Sequence, residues 1–278
     1  MKFCYVILHY RTEEDTVLCV ESMKKATPEA DIVIVDNASK NGSIERLIKL
    51  YGKDKQIHII QNKENLGFAS GNNVGYFYAK NTLKADFIAV SNNDIVVDTL
   101  HLDHKVAEIY EREQFHLLGP DIVSLIDGHH QNPMLPKTTS VKKINREINR
   151  YRLLLLISRL GVYDLLKPKE KKTTSHFDLK DSEIGVQLHG SFVIFSPIFI
   201  AEENMAFREG TFLYMEEAIL SQYCRKKGYK TIFDPEIRVY HKEDSSTNSI
   251  FDKGKEKREF VFKHMIQSLC IYRSLLKG

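Results

Sequence analysis

The run Asp86-Phe87-Ile88-Ala89-Val90-Ser91-Asn92-Asn93-Asp94-Ile95-Val96-Val97 decides the fold. A short apolar stretch of strand length ends in a polar cluster, after which an apolar stretch resumes. In an open α/β sheet, ligands bind just beyond the carboxyl ends of the strands. Asp94 would then stand at the sheet's mouth, where a carboxylate can hold a divalent ion against a diphosphate. Asn-Asn-Asp also suits an Asx-turn, so at this point a plain turn stays open.

Working outward, the same grammar repeats. Phe3 to Leu8 reads as the first strand, with His9-Tyr10-Arg11-Thr12 as its polar exit, and Thr12 or Asp15 as cap of a helix carrying Val17, Leu18, Val20 and Met23. Asp31-Ile32-Val33-Ile34-Val35 is a near-continuous apolar run of the kind buried on both faces of a parallel sheet, and it ends in Asp36-Asn37. A helix with Ile44, Leu47, Ile48 and Tyr51 leads to the strand Ile57–Ile60. Strands alternating with helices at this spacing mean βαβ units: the expected class is α/β, a mostly parallel central sheet with helices on both faces.

Further on, a helix from about Thr99 to Arg112 precedes a strand near Leu117–Pro120. Gln187 to Phe195 reads as a strand with a glycine near its start. Met215-Glu216-Glu217 opens a helix that Lys226-Lys227-Gly228 stops. Thr231–Phe233 and Arg238–His241 read as two closing strands, and Lys255 to Leu276 as an amphipathic final helix.

Composition bounds the class. The chain has 278 residues, 42% hydrophobic and 28% charged, a globular profile. Four cysteines lie far apart without a C-x-x-C pair, which predicts buried thiols in a reducing compartment, not a disulfide framework or a zinc site. The apolar run at the N-terminus is too short for a signal peptide, and no stretch approaches bilayer-spanning length, so the expected location is cytoplasmic. The net charge of +3 hides an asymmetry: Lys137 to Lys172 holds 11 Lys/Arg against 3 Asp/Glu, leaving −5 for the remainder. This basic insert marks a localised anionic partner.

Three polar strand exits, His9-Tyr10-Arg11, Asp36-Asn37 and Asn92-Asn93-Asp94, would converge on one edge of a parallel sheet. No G-x-G-x-x-G follows the first strand and no G-x-x-x-x-G-K-[ST] occurs, so dinucleotide binding and P-loop hydrolysis both lose support. An aspartate after the second strand could bind a ribose hydroxyl or accept from a pyrimidine ring N–H.

Val33-Ile34-Val35-Asp36-Asn37-Ala38-Ser39, then Asn65-Leu66-Gly67-Phe68-Ala69-Ser70-Gly71-Asn72-Asn73-Val74-Gly75, then Asn92-Asn93-Asp94 resemble an inverting family 2 glycosyltransferase of the GT-A fold. The similarity is to the rhamnosyltransferase-like branch of bacterial surface polysaccharide synthesis. His189-Gly190-Ser191-Phe192, Tyr214-Met215-Glu216-Glu217 and Val239-Tyr240-His241 fit as well, so the resemblance covers about residues 3–120 and 185–245. It implies one GT-A domain over 1–245 and a helical extension over 246–278.

The resemblance also implies roles. Asp36 would accept from a uracil or thymine N–H, with His9 and Arg11 flanking the nucleotide; Asp36 as a turn cap is the alternative. Asn65, Gly67 and Asn72 would lie beside base and sugar, the glycine allowing close backbone approach. Asn92, Asn93 and Asp94 match the family's D-x-D element, with Asn92 replacing its first acid, so that one strong carboxylate remains for Mn²⁺ or Mg²⁺. His241 falls where some of these enzymes place a third ligand. Glu217 would be the base that deprotonates the acceptor hydroxyl, with Glu216 as fallback because the family's usual Glu-Asp is here Glu-Glu. Acids at a helix N-terminus are also favoured by its dipole alone.

In the basic insert, Ile144, Ile148, Tyr151 and Leu155 recur at helical spacing beside Leu153–Ile157. Such a helix can lie on the inner face of an anionic plasma membrane, suiting a nucleotide-sugar donor and a lipid-linked saccharide acceptor, or it can pack on the core or on a second subunit of a homo-oligomer. No nucleic-acid-binding signature accompanies the charge. Two rivals remain: a nucleotidyltransferase, which would want a Gly-rich basic loop after the first strand, and a degenerate transferase kept as a membrane-associated assembly subunit.

Overall fold

The computed structural model describes residues 1–134, 140–163, 182–243 and 254–277. The chain opens with β1 (Phe3–His9), α1 (Glu13–Ala26), β2 (Asp31–Asp36), α2 (Ser43–Tyr51), β3 (Ile57–Gln61) and α3 (Gly67–Tyr78). It continues through a π-helical turn (Ala79–Leu83), β4 (Phe87–Asn92), β5 (Ile95–Val97), α4 (Leu102–Glu113), β6 (Leu117–Ser124) and α5 (Val141–Arg159). It ends with β7 (Glu183–Ile184), β8 (Phe192–Phe195), α6 (Pro197–Glu202), α7 (Glu216–Lys227), β9 (Thr231–His241) and α8 (Lys255–Lys277).

The described strands form one sheet in the order β3-β2-β1-β4-β8-β6-β9-β5, with β7 also on β9. β3, β2, β1 and β4 run parallel; in β1, β2 and β4 side chains of both parities are buried, because helices cover both faces, while β3 at the edge is mostly half-buried. Tyr5, Ile7, Ile32 and Ile34 enter one core layer under α1 and α2; Val6, Val33, Val35 and Val90 enter the other, with Ala69 and Tyr76 of α3. Beyond β4 the sheet is mixed, since β8 runs antiparallel to both β4 and β6, and β5 and β7 run antiparallel to β9. Parallel pairing thus holds for the first four strands and returns between β6 and β9, with β8, β5 and β7 as the antiparallel members. β8 is reached through the long insert and not through a short helical crossover, so nothing obliges it to run parallel.

Four local expectations change. The two closing strands are one, β9, which bulges where Pro235 cannot donate and Glu236 N–H bonds Asp234 Oδ1, while both halves pair with β6. The helix expected from Thr99 begins at Leu102, because Thr99 Oγ1 accepts from Arg238 N at 2.7 Å and ties that segment to β9. β8 starts at Phe192, not Gln187. Before it, Asn132 Oδ1 accepts from His189 N, and Ser191 N donates to His189 Nδ1, making a turn. Thr12 stands before α1 without capping it, its Oγ1 accepting instead from Asn93 Nδ2 at 2.7 Å.

The insert forms α5, and Ser140 caps it through Lys143 N. Ile144 and Ile148 are buried against Leu269 and Tyr272 of α8 and Ile219 of α7. So α5 packs on the protein through that face; residues 135–139 and 164–181 of the insert region lie outside the described residues. Cys4, Cys19 and Cys224 are buried, Cys270 is half-buried, and all four are free thiols.

Candidate active site

The parallel registers place the polar exits side by side. His9 pairs with Asp36 across β1 and β2, and Leu8 pairs with Asn92 across β1 and β4. Just beyond them lies a cavity of about 220 Å³, walled by Tyr10, Asn37, Asn65, Asn92 and Asn93 on its polar side. Leu8, Phe68, Phe212, Leu213 and Phe260 make its apolar side.

Several expected site residues build this cavity without presenting a free side chain to it. His9 is fully buried, with Nδ1 2.7 Å from Thr16 Oγ1 and Nε2 2.8 Å from Ser43 Oγ, and burial lowers its pKa. Asn93 donates to Thr12 and Thr16, so it and His9 share one network behind the cavity wall. Asp36 accepts from Ser39 Oγ at 2.5 Å and Ser39 N at 3.2 Å, closing the turn that also holds Arg11 N on Ser39 Oγ. The guanidinium of Arg11 lies over the Tyr10 ring, 5.6 Å from its centroid.

The Asn65–Gly75 segment is tied down by amides. Asn37 donates to Asn65 Oδ1 and Gly67 O and accepts from Leu66 N, fixing the loop to the end of β2. Gly67 has φ +79°, and a Cβ there would meet Phe212 O at 2.3 Å. Only glycine tolerates both that backbone region and that approach. Asn72 is buried, donates to Phe68 O within α3, and leaves Oδ1 without a partner among the described residues.

Asp94 and His241 meet from neighbouring strand ends, since Ile95 pairs with His241 across β5 and β9. Asp94 Oδ1 is buried without a hydrogen bond among the described residues, and His241 Nε2 lies 3.3 Å from it. His241 Nδ1 is 2.8 Å from Gln131 Oε1, a contact that fixes the ring and turns Nε2 toward the carboxylate. A carboxylate oxygen and an imidazole nitrogen meeting in a buried site, the ring oriented by an outer amide, form a donor set that would fit a divalent cation. His189 packs edge-on to His241 with ring centroids 5.7 Å apart. Burial, followed by His241, lowers its pKa to about 4, and because its Nδ1 accepts from Ser191 N, the neutral ring carries its proton on Nε2.

Glu216 and Glu217 open α7 after Tyr214 and Met215, two non-glycine residues at φ 74° and 72°. Consecutive left-handed residues are costly and concentrate at functional sites. The two acids occupy different environments. Glu216 is buried, its Oε1 lacks a hydrogen-bond partner among the described residues, and burial followed by the charge of Glu217 raises its pKa to about 7. Glu217 is half-buried and faces the His189-Gly190-Ser191 turn; a Cβ on Gly190 would lie 3.9 Å from Glu217 Cβ and 3.8 Å from Phe68 of the cavity wall.

Over residues 4–164, more than half the chain, the sequence matches the model of Glycosyl transferase family 2. The chain belongs to that family. Among curated relatives of the family's kind, the low-salt glycan biosynthesis hexosyltransferase Agl10 of Haloferax volcanii is 23% identical over 120 residues, 43% of this chain and 36% of Agl10. Solved structures of similar shape include S. aureus TarS with UDP-GlcNAc, at TM-score 0.55 and 12% identity, covering 91% of this chain and 62% of TarS. GalNAc-T7 with UDP, GalNAc and Mn²⁺ gives TM-score 0.59 and 15% identity, covering 88% of this chain and 45% of that one. The chain thus spans about a third of Agl10 and under two thirds of TarS. At these identities the likeness establishes the GT-A fold of the family 2 chain.

Sequence reasoning quoted His189 within the His189–Phe192 motif but gave it no role, and gave none to Gln131 or to the wall of Phe212, Leu213 and Phe260. Tyr10 was visible within the first polar exit. Phe260 carries no local signal: it reaches the cavity only because α8 folds back, where it stacks edge-on with Phe212 at 5.9 Å.

Proposed function

We propose that this family 2 chain transfers a sugar from a UDP- or dTDP-sugar to a saccharide acceptor, with inversion at the anomeric carbon. The acceptor is a lipid-linked glycan of surface polysaccharide synthesis. The observation that carries the reading is the Asp94–His241 pair, a buried carboxylate oxygen and an imidazole nitrogen 3.3 Å apart at the mouth of the sheet. Asp94 and His241 would hold Mn²⁺ or Mg²⁺, with Gln131 fixing the imidazole. A bound cation there would neutralise charge developing on the leaving diphosphate. Agreement with the Mn²⁺ and UDP of GalNAc-T7 supports this assignment.

The nucleoside would occupy the cavity beside Tyr10, with Asp36 at the end of β2 accepting from the ring N–H through Oδ2, the oxygen that Ser39 N reaches only at 3.4 Å, and with Asn65 and Gly67 in the adjoining wall and Asn72 behind them. Across the His189-Gly190-Ser191 turn, Glu217 is the base. Its carboxylate takes the acceptor hydroxyl proton as that oxygen bonds the anomeric carbon and the diphosphate oxygen departs from the opposite face. Glu216 is sealed by its surroundings, which is why the half-buried Glu217 is preferred.

The test is thermal shift against UDP, dTDP, GDP and CMP with and without Mn²⁺, followed by turnover of the preferred nucleotide sugar. A nucleotide at about 100 times its dissociation constant adds about 2.7 kcal/mol to folding. Stabilisation by UDP or dTDP, with a Mn²⁺ increment absent in Asp94→Ala, is expected. Silence with every nucleotide would overturn the reading, and full turnover in Glu217→Gln would remove Glu217 as base.

A further inference from the structure

The face of α5 turned away from the protein is not what a solvated helix ordinarily shows. Ile144 and Ile148 are buried, and Leu153 lies two and a half turns past Ile144 at about 3.6 residues per turn, hence on the opposite side. Leu156 and Leu160 follow Leu153 at the i+3 and i+7 spacing of a single face. All three are open to solvent, at 57%, 54% and 67% exposure. The same helix carries six Lys/Arg and one Glu. Lys142 and Arg146 continue the leucine face toward the N-terminus, while Arg150 and Arg152 flank it on either side; all four are exposed.

We propose that this outer face docks on an anionic bilayer, with Leu153, Leu156 and Leu160 entering the headgroup–acyl boundary and the surrounding Lys and Arg meeting lipid phosphates. Two physical points select this occupant. A second copy meeting the face about a two-fold axis would bring its four cations against four of the same sign, a like-charge contact that opposes association. A stable protein partner needs roughly 800 Å² per side, more than three leucines on one helix supply, whereas a bilayer sets no such minimum. The placement also suits the chemistry: α5 packs on α8, and α8 lends Phe260 to the cavity wall, so docking would hold the site close to the membrane surface. The docking surface itself stands on α5; only its purpose, access to a lipid-carried acceptor, rests on the transferase reading.

The experiment is cosedimentation of the full chain with large vesicles of phosphatidylcholine alone and of phosphatidylcholine with phosphatidylglycerol at about 7:3, a mixture that supplies the anionic surface. The protein should pellet with the anionic vesicles and stay in solution with the neutral ones. Leu153→Ser/Leu156→Ser/Leu160→Ser should lower the bound fraction more than about tenfold, since it removes the inserted apolar area. These side chains are exposed, so the triple variant should keep the wild-type melting temperature and far-UV spectrum. Equal pelleting of variant and wild type, or none by wild type, would overturn the proposal. A wild-type dimer in sedimentation velocity that becomes monomeric in the variant would overturn it too, giving the face to a second copy. A UDP-induced thermal shift measured on the same samples reports the nucleotide site separately, so failure of one reading leaves the other visible.

Discussion

Replacing Glu216 by glutamine should stabilise the protein at pH 8 and do so much less at pH 5. The carboxyl sits in the first turn of α7, where the helix dipole favours negative charge, yet burial dominates and, with the neighbouring Glu217, lifts its pKa from 4.5 to about 7. An acid whose folded pKa exceeds its unfolded value binds more protons when folded. Stability is then greatest below about 4.5, declines as pH rises from 4.5 toward 7, and carries the full penalty above about 7. A rise of about 2.5 pKa units corresponds to an upper limit of about 3 kcal/mol. Glutamine keeps the shape and has no charge to bury, so urea unfolding at pH 8 should show a gain of about 1–3 kcal/mol that shrinks to about a quarter of that at pH 5. A gain of equal size at both pH values, or a variant less stable than wild type at pH 8, would refute the account of a buried, charge-penalised carboxyl.

Gln131→Ala should weaken Mn²⁺ binding by about 10–100-fold in calorimetry while leaving metal-free stability nearly unchanged, because Gln131 orients His241 through Nδ1; unchanged affinity would refute that orienting role. Gly67→Ala combines φ +79° with a 2.3 Å approach to Phe212 O, and should cost at least about 2 kcal/mol in denaturant unfolding. Ile148→Ala should cost about 2–4 kcal/mol and raise hydrogen exchange first in α5 and α8, whose shared cluster it hollows. Loss spread evenly over the sheet would instead mean that α5 is not held by that cluster.

The parallel half of the sheet and its polar exits were legible in the sequence, because a strand buried on both faces has to be written as an unbroken apolar run and its loop as turn formers. Asp31–Val35 followed by Asp36-Asn37, and Phe87–Val90 followed by Asn92-Asn93-Asp94, announce both the element and the edge where ligands collect. The stop at Gly228 was equally plain, since its left-handed φ of 71° suits a glycine past the helix end. What the sequence could not rank was which polar residues face the cavity and which are spent on the scaffold. His9 and Asp94 look alike as strand-exit residues, yet His9 finds Thr16 and Ser43 at its two nitrogens while Asp94 Oδ1, among the described residues, meets the Nε2 of His241. Glu216 and Glu217 are adjacent and chemically identical, and only the packing beneath α7 buries one and leaves the other half-open. Strand direction beyond β4, the Gln131–His241–Asp94 line and the Phe260 wall likewise depend on segments more than a hundred residues apart meeting in space. Local sequence sets backbone preference and apolar period; hydration of a given carboxyl or imidazole is set by whichever distant atoms surround it, and that belongs to the tertiary structure alone.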